Sequence, residues 1–309
     1  MGIDPVSLRG YDRDFDGFSR DLGSAFERYG FAILSEHDLP SGAVDEALAE
    51  TRAFFALPEE VKRAYHAAGG AGQRGYTPFG REAAKGASLS DLKEFWHIGR
   101  ELPPDHPYRE VMPDNVWPTE LPEFKPATLG LYQALNELGG RVLRAIARHL
   151  SLADDAFVDP TRDGNSVLRL LHYPPIPADA PGVRAGAHED INAITLLLGA
   201  EEAGLELLDR DGQWLPVNPP PGSVVCNIGD MLQRLTNHVL PSTTHRVVNP
   251  APERRGTARY STPFFLHFRP DFLISTLPSC VVAERPDRYP EPITADAYLR
   301  QRLREIRLA

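Results

Sequence analysis

Cysteine is scarce in this chain, as are methionine and tryptophan: two, three and three residues among 309. Cys226 and Cys280 form neither a disulfide framework nor a C-x-x-C metal pattern, which argues against a cystine-stapled scaffold and against a thiolate zinc module. No apolar run approaches the length needed to cross a bilayer. The first residues, MGIDPVSLRGYDRDFDG, are acidic and lack the apolar centre of a signal peptide. A cytoplasmic protein with no membrane partner is expected. Lys and Arg number 33 against 43 Asp and Glu, for a formal net charge of −10, and no segment gathers them densely. That argues against a nucleic-acid partner, which needs a basic track along the phosphates. The phosphate-cradling pattern G-x-x-x-x-G-K-[ST] is missing as well. The glycine-rich residues 67–80, AAGGAGQRGYTPFG, fit a flexible loop at a pocket mouth instead.

What the chain does have is proline, 29 residues, many of them between Pro103 and Pro126 and between Pro174 and Pro181, which suggests long ordered loops. Phe15, Phe18, Leu22, Phe26 and Tyr29 recur at helical steps, with Gly30 placed to end the helix and Phe31–Leu34 reading as a buried strand. Ser41 opens a second helix with Val44, Leu48 and Phe55 on one face, and Pro58-Glu59-Glu60 starts a short third one. Asp91–Gly99 reads as a strand with Phe95 and His97 on one face and Trp96 on the other. The longest helical pattern lies between Pro126 and Leu150, with Leu131, Leu135, Leu138, Val142 and Ile146 in register.

From Ser166 the texture changes to short strand-like runs: SVLRLLHY, AITLLL, LELL, QWLPV, SVVCNI, THRVVN and RYSTPFFLHF. Asp209–Gly212 is a hairpin loop between two of them. Short strands at regular spacing point to a double-sheet jelly roll or a barrel. The expected class is α+β: a double-stranded β-helix core with a helical N-terminal region packed on it and a C-terminal helix. With no clean linker, one intergrown domain over 1–309 is expected, mainly helical in 1–160, jelly roll in 161–284 and helical in 285–309.

The stretch AGAHEDINAITLLL, Ala185–Leu198, carries the chemistry. His188 and Asp190 stand at i and i+2, and on extended backbone they share a face. Of ten histidines, His188 alone has an acidic residue two positions on. In a jelly roll a distant strand can complete such a site, and His245 in TTHRVVNP suits that place. His172 and His267 lie within strands and compete with it, whereas His238 is loop-borne. Two imidazoles and a carboxylate with open positions opposite form the ligand set of non-haem Fe(II) oxygenases. Further on, Arg259 and Ser261 share a strand face, a planar donor fork beside a hydroxyl, suited to a ligand carboxylate. Tyr173, before Pro174-Pro175, offers a second hydroxyl.

In this order the C-terminal half resembles the Fe(II)- and 2-oxoglutarate-dependent dioxygenases of the isopenicillin N synthase-like superfamily, which includes plant flavonoid and gibberellin oxygenases. The likeness rests on LLHYPPIP, AGAHEDINAITLLL, Gln213-Trp214, VVCNIGDMLQRLTN, STTHRVVN and RYSTPFF. It extends N-terminally through YGFAIL, LPEEVK and GYTPFGREAAKG…DLKEFWHIG. The resemblance implies that His188, Asp190 and His245 hold iron, that Arg259 and Ser261 bind the distal carboxylate of 2-oxoglutarate, and that Tyr173 assists. It implies oxidative decarboxylation to succinate and CO2 with O2, coupled to hydroxylation or desaturation of a small organic metabolite. By the same analogy Phe79, Phe95, His97, Arg184, Asn192 and Phe265 would line the substrate pocket. One departure is that Leu171-His172 stands where plant members carry asparagine-tyrosine.

Two alternatives stay open on sequence. An oxidase of the same fold could dispense with the oxoacid, although Arg259 with Ser261 argues against it. A non-catalytic jelly-roll binding protein could keep a structural metal, although that would favour four ligands and often thiolates. The substrate's identity is not encoded legibly, and the oligomeric state stays open between monomer and weak dimer.

Overall fold

The computed structural model describes residues 2–66, 73–81, 91–176, 182–199 and 204–305. Residues 67–72 of the expected pocket-mouth loop, residues 82–90, and the last four of the expected C-terminal helix lie outside them. Strand β1 (Pro5–Ser7) and helix α1 (Arg9–Arg13) lead into α2 (Phe15–Tyr29). Asp14 caps α2 by accepting the Gly17 amide at 3.0 Å. Gly30, at φ 67°, takes the left-handed conformation that ends the helix and lets β2 (Phe31–Ser35) begin at once. Helix α3 (Ser41–Phe55) buries Ala47, Thr51, Phe54 and Phe55, leaving Val44 and Leu48 half-buried. Its rotation differs from the expected stripe because the Phe54 ring packs edge-on to Trp96 at 4.6 Å.

The first half continues with α4 (Glu59–Ala64), β3 (Gly75–Thr77), β4 (Glu94–Gly99) and α5 (Phe124–His149). The five expected apolar residues of α5 are all buried. Gly139 brings α5 close to the sheet: a Cβ there would stand 2.4 Å from Leu266 Cδ1. After α6 (Val158–Thr161) come β5 (Val167–Tyr173), β6 (Ala185–His188), β7 (Ile194–Leu198), β8 (Leu205–Leu208), β9 (Trp214–Pro216) and β10 (Val224–Ile228). Helix α7 (Asp230–Leu235), β11 (His245–Val247), β12 (Arg259–Leu266), the pair β13 (Leu273–Ile274) and β14 (Ile293–Thr294), and α8 (Ala295–Glu305) complete the chain.

Two sheets face each other. The larger runs β1-β2-β10-β7-β12-β5-β4-β3 and the smaller β6-β11-β8-β9. The N-terminal part thus contributes strands as well as helices to the larger sheet. One face of that sheet packs on the helices through Leu168, Leu170, Leu196, Phe264 and Leu266, together with α5. The other faces the smaller sheet, and Phe31, Ile33, Val225, Leu205, Leu207 and Val247 close one end of the space between them. Alternation along each strand puts Phe95 and His97 of β4, Arg169, Leu171 and Tyr173 of β5, Arg259, Ser261 and Phe265 of β12, Thr195 of β7 and Asn227 of β10 on this inner face. No helix of the described residues is long and apolar enough to cross a membrane.

Candidate active site

His188 ends β6 and His245 begins β11, and the two residues are direct cross-strand partners. Their rings lie 4.4 Å apart, centre to centre. His188 Nδ1 is 2.7 Å from the Gly186 carbonyl and His245 Nδ1 is 3.1 Å from that of Thr243. Each Nδ1–H donates to its backbone oxygen, which leaves Nε2 as the lone-pair nitrogen on both rings. Both Nε2 atoms point at one oxygen, Asp190 Oδ1, at 3.8 and 3.9 Å. One ligand atom from each of the three residues falls within 4.8 Å of the others, the one such group found among the described residues. Two nitrogens and one oxygen around a common centre, with no sulfur among them, suit a borderline divalent cation such as ferrous iron.

A second layer fixes the carboxylate. Asp190 Oδ2 accepts from Thr195 Oγ1 at 2.6 Å and from Asn227 Nδ2 at 2.8 Å, leaving Oδ1 for the centre. Burial alone would raise the Asp190 carboxyl, but His245, His188 and these two hydrogen bonds hold it below its ordinary value. Burial, with His245 beside it, pushes the His188 imidazole down to about 4, so it is neutral and available as a ligand at physiological pH. Asn192 sits behind this layer. It is buried, and its Nδ2 donates to Ile194 O at 2.7 Å and Thr195 Oγ1 at 3.0 Å, so it braces Thr195.

Arg259 and Tyr173 are register partners of β12 and β5, and Ser261 pairs with Leu171. All three site residues are buried; Arg259 is 1% exposed. Among the described residues its Nη2 reaches only Gly199 O, at 3.3 Å, and Nε and Nη1 have no hydrogen-bond partner. A buried guanidinium in that condition is unfavourable until an anion pairs with it. Arg184 is also 1% exposed, its Cζ 5.6 Å from the Tyr173 ring, where Arg259 Cζ stands 5.4 Å away. Arg184 therefore belongs to the Tyr173–Arg259 end of the chamber.

Phe95, His97 and Phe265 do meet on the inner wall, around a residue not singled out from sequence. Arg169 Cζ lies 4.2 Å from the Phe95 ring and 5.2 Å from that of Phe265, and its Nε donates to His97 Nε2 at 2.6 Å. Phe79, by contrast, is 46% exposed and follows the short edge strand β3. The competing histidines separate cleanly. His172 lies on the opposite face of the sheet against Glu94 at 2.7 Å, and His238 bonds Tyr289 in a loop. His267 is buried past the end of β12, close enough to Asp190 to feel its charge. Thr195 and Asn227 were unread in the sequence. A lone asparagine in the apolar run VVCNI is the signal that marks the second.

Comparison with known proteins brings two family models onto the chain. The model for the 2OG-Fe(II) oxygenase superfamily matches residues 164–268, and that for the N-terminal region of a non-haem dioxygenase in morphine synthesis matches residues 3–120. The 2-oxoglutarate-Fe(II) type oxidoreductase hxnY of Emericella nidulans is 36% identical over 288 residues, covering 89% of this chain and 80% of the relative. A 2OG-Fe(II) oxygenase family protein from Caulobacter crescentus has a solved structure that superposes with a TM-score of 0.93 at 64% identity, over 98% of this chain and 99% of that one. A Neurospora crassa structure in complex with alpha-KG (2-oxoglutarate) and thymine superposes with a TM-score of 0.86 at 29% identity, over 98% and 96% of the two chains.

Proposed function

This chain belongs to the 2OG-Fe(II) oxygenase superfamily, and from that premise we propose that His188, Asp190 and His245 hold its iron while Arg259, Ser261 and Tyr173 receive 2-oxoglutarate. The protein is an Fe(II)- and 2-oxoglutarate-dependent dioxygenase. The chemistry supplied by bound ferrous iron is the activation of O2, coupled to conversion of 2-oxoglutarate to succinate and CO2 and to oxidation of a small organic molecule.

The chain's own residues prepare that reaction. His188 and His245 present Nε2, their Nδ1 atoms being engaged by backbone oxygens, and Asp190 presents one oxygen while Thr195 and Asn227 hold the other. Arg259 supplies the cation for the far carboxylate of the oxoacid, bound through charge-assisted hydrogen bonds, with Ser261 on the same face. That its Nε and Nη1 have no partner among the described residues is the observation that carries the oxoacid reading, and it disfavours an oxidase that does without one. Phe95, His97 and Phe265, with Arg169 among them, form the wall we assign to the prime substrate, a small and partly apolar molecule. The thymine held by the Neurospora relative is of that size.

The test is anaerobic. Fe(II) and 2-oxoglutarate added together to the native protein are expected to give the visible charge-transfer band of a chelated oxoacid. Neither His188→Ala nor Arg259→Ala should give it at the same oxoacid concentration. A native-strength band in either variant refutes the corresponding assignment.

A further inference from the structure

Three charges enter the fold on four residues, Asp91-Leu92-Lys93-Glu94, and all three are buried, at 6%, 7% and 5% exposure. Burying an ion is unfavourable unless partners compensate, so each must be held. Glu94 joins one network on the helix-facing side of the sheet, where Lys62 and Tyr76 donate to it and His172 is hydrogen-bonded to it. Asp91 and Lys93 belong to a different one. Lys93 Nζ donates to Asp91 Oδ2 at 2.8 Å, while Asp91 Oδ1 accepts the backbone amide of Gly186 at 3.0 Å. One residue on, the Leu92 amide donates to the Val183 carbonyl at 3.1 Å. The segment leading into β4 of the larger sheet thus holds β6, the edge strand of the smaller sheet, at Gly186, and the residues just before that strand at Val183.

That grip falls where the strand needs it. Among the described residues β6 pairs only with β11, and the register between them shifts between His245 and Val247. An edge strand with an irregular pairing is weakly specified, and a slip of one residue turns each side chain to the opposite face. The Gly186 carbonyl is also the acceptor for His188 Nδ1–H. We propose that Asp91 is a positioning residue for His188. Its carboxylate, charge-balanced by Lys93, fixes the Gly186 peptide backbone, and that backbone aims the imidazole so that Nε2 faces Asp190. The proposal rests on His188 being an iron ligand, but its effect is on the strand.

The experiment compares native protein with Asp91→Ala, Asp91→Asn, the double variant Asp91→Asn/Lys93→Met, and His188→Ala. Co(II) serves as an oxygen-insensitive probe of the metal site. Backbone amide exchange over residues 183–188 is followed in the metal-free proteins. Asp91→Ala is expected to weaken Co(II) binding about 10–100-fold, the usual effect of losing an outer-shell partner, and to speed exchange at Gly186. Asparagine keeps an oxygen acceptor for the Gly186 amide, so the Asn/Met double variant, with no buried unpaired charge, should recover most of that loss. Native Co(II) affinity and native exchange in Asp91→Ala would overturn the proposal. Equal losses in Asp91→Ala and the double variant would overturn it too, since the pair would then act only through charge. Should Asp91→Ala fail to fold, Asp91→Ala/Lys93→Met, which loses the acceptor without leaving a buried charge, takes its place, and native Co(II) affinity with native exchange in it overturns the proposal. Native-like Co(II) binding by His188→Ala would instead sink the ligand assignment beneath the proposal, a result the exchange data are independent of.

Discussion

Replacing Arg259 by methionine separates two roles that the native residue combines. The guanidinium is 1% exposed, and among the described residues two of its nitrogens have no hydrogen-bond partner while the third lies 3.3 Å from Gly199 O. An apolar side chain of similar volume removes a buried, poorly compensated charge, and replacements of buried ionic groups of this kind stabilise proteins by about 1–4 kcal/mol. The metal-loaded, oxoacid-free variant should therefore melt above the native protein, by roughly 2–4 °C per kcal/mol for a chain of this size class. With 2-oxoglutarate the order reverses. Two hydrogen bonds to a charged carboxylate, about 1.5–3 kcal/mol each, amount to a loss of about 10²-fold or more in affinity. At an oxoacid concentration about 100 times the native Kd, the native protein gains about 2.7 kcal/mol and the variant under about 0.5. Calorimetric melting with Co(II) in place of iron, with and without 2-oxoglutarate, reads both effects without turnover. If the oxoacid-free variant instead loses about 3–5 kcal/mol, Arg259 already has an internal counter-charge and the anchor assignment is wrong. Equal oxoacid stabilisation of both proteins would refute it as well.

Glu94 is held below its ordinary carboxylate value: burial would raise it, but hydrogen bonds from His172, Lys62 and Tyr76 prevail. A depressed carboxylate contributes stability that is present above the unfolded value of 4.5 and is lost as pH falls through the lower folded value. Denaturant titrations from pH 6 to pH 3 should show that loss, and Glu94→Gln should flatten it while lowering neutral-pH stability by about 1.5–3 kcal/mol, the worth of a hydrogen bond to a charged group, because Lys62 keeps Glu59 at 3.3 Å. His267 behaves with its own sign: burial pushes it from 6.5 down to about 4, with Asp190 opposing and Arg74 assisting. The unfolded chain then binds the extra proton first, so stability falls as pH drops from 6.5 towards 4, and His267→Leu should make that slope shallower in the metal-free protein. An unchanged slope would mean the imidazole is solvated.

Local pattern carried much of this structure. The alternation that placed Phe95 and His97 opposite Trp96, and the helical repeat of Leu131 to Ile146, are properties of single elements, so they survive into the fold. The His188–Asp190 spacing is local too, whereas spacing alone leaves His172 and His267 beside His245, and only the family resemblance singles His245 out. Pairings between distant segments were not legible. Nothing in YGFAIL says that β2 lies between β1 and β10, because strand partnership is decided by packing across the sheet. The charges of Asp91, Lys93 and Glu94 look like a solvated run in sequence, yet all are buried against partners 32 to 95 residues away or two residues along. The family resemblance puts Asn192 and Arg184 at the substrate wall. Asn192 braces Thr195 and Arg184 lies beside Tyr173, and only three dimensions reveal either arrangement.

The N-terminal strands bear on any attempt to shorten or recombine this protein. With β2 beside β10 and β4 beside β5, excising residues 1–160 would bare the backbone of two strands at once, one near each side of the space between the sheets. Exposed strand rims of that kind recruit other chains. A graft meant to change selectivity must therefore carry those two ribbons along with the helices, or it will exchange an enzyme for a precipitate.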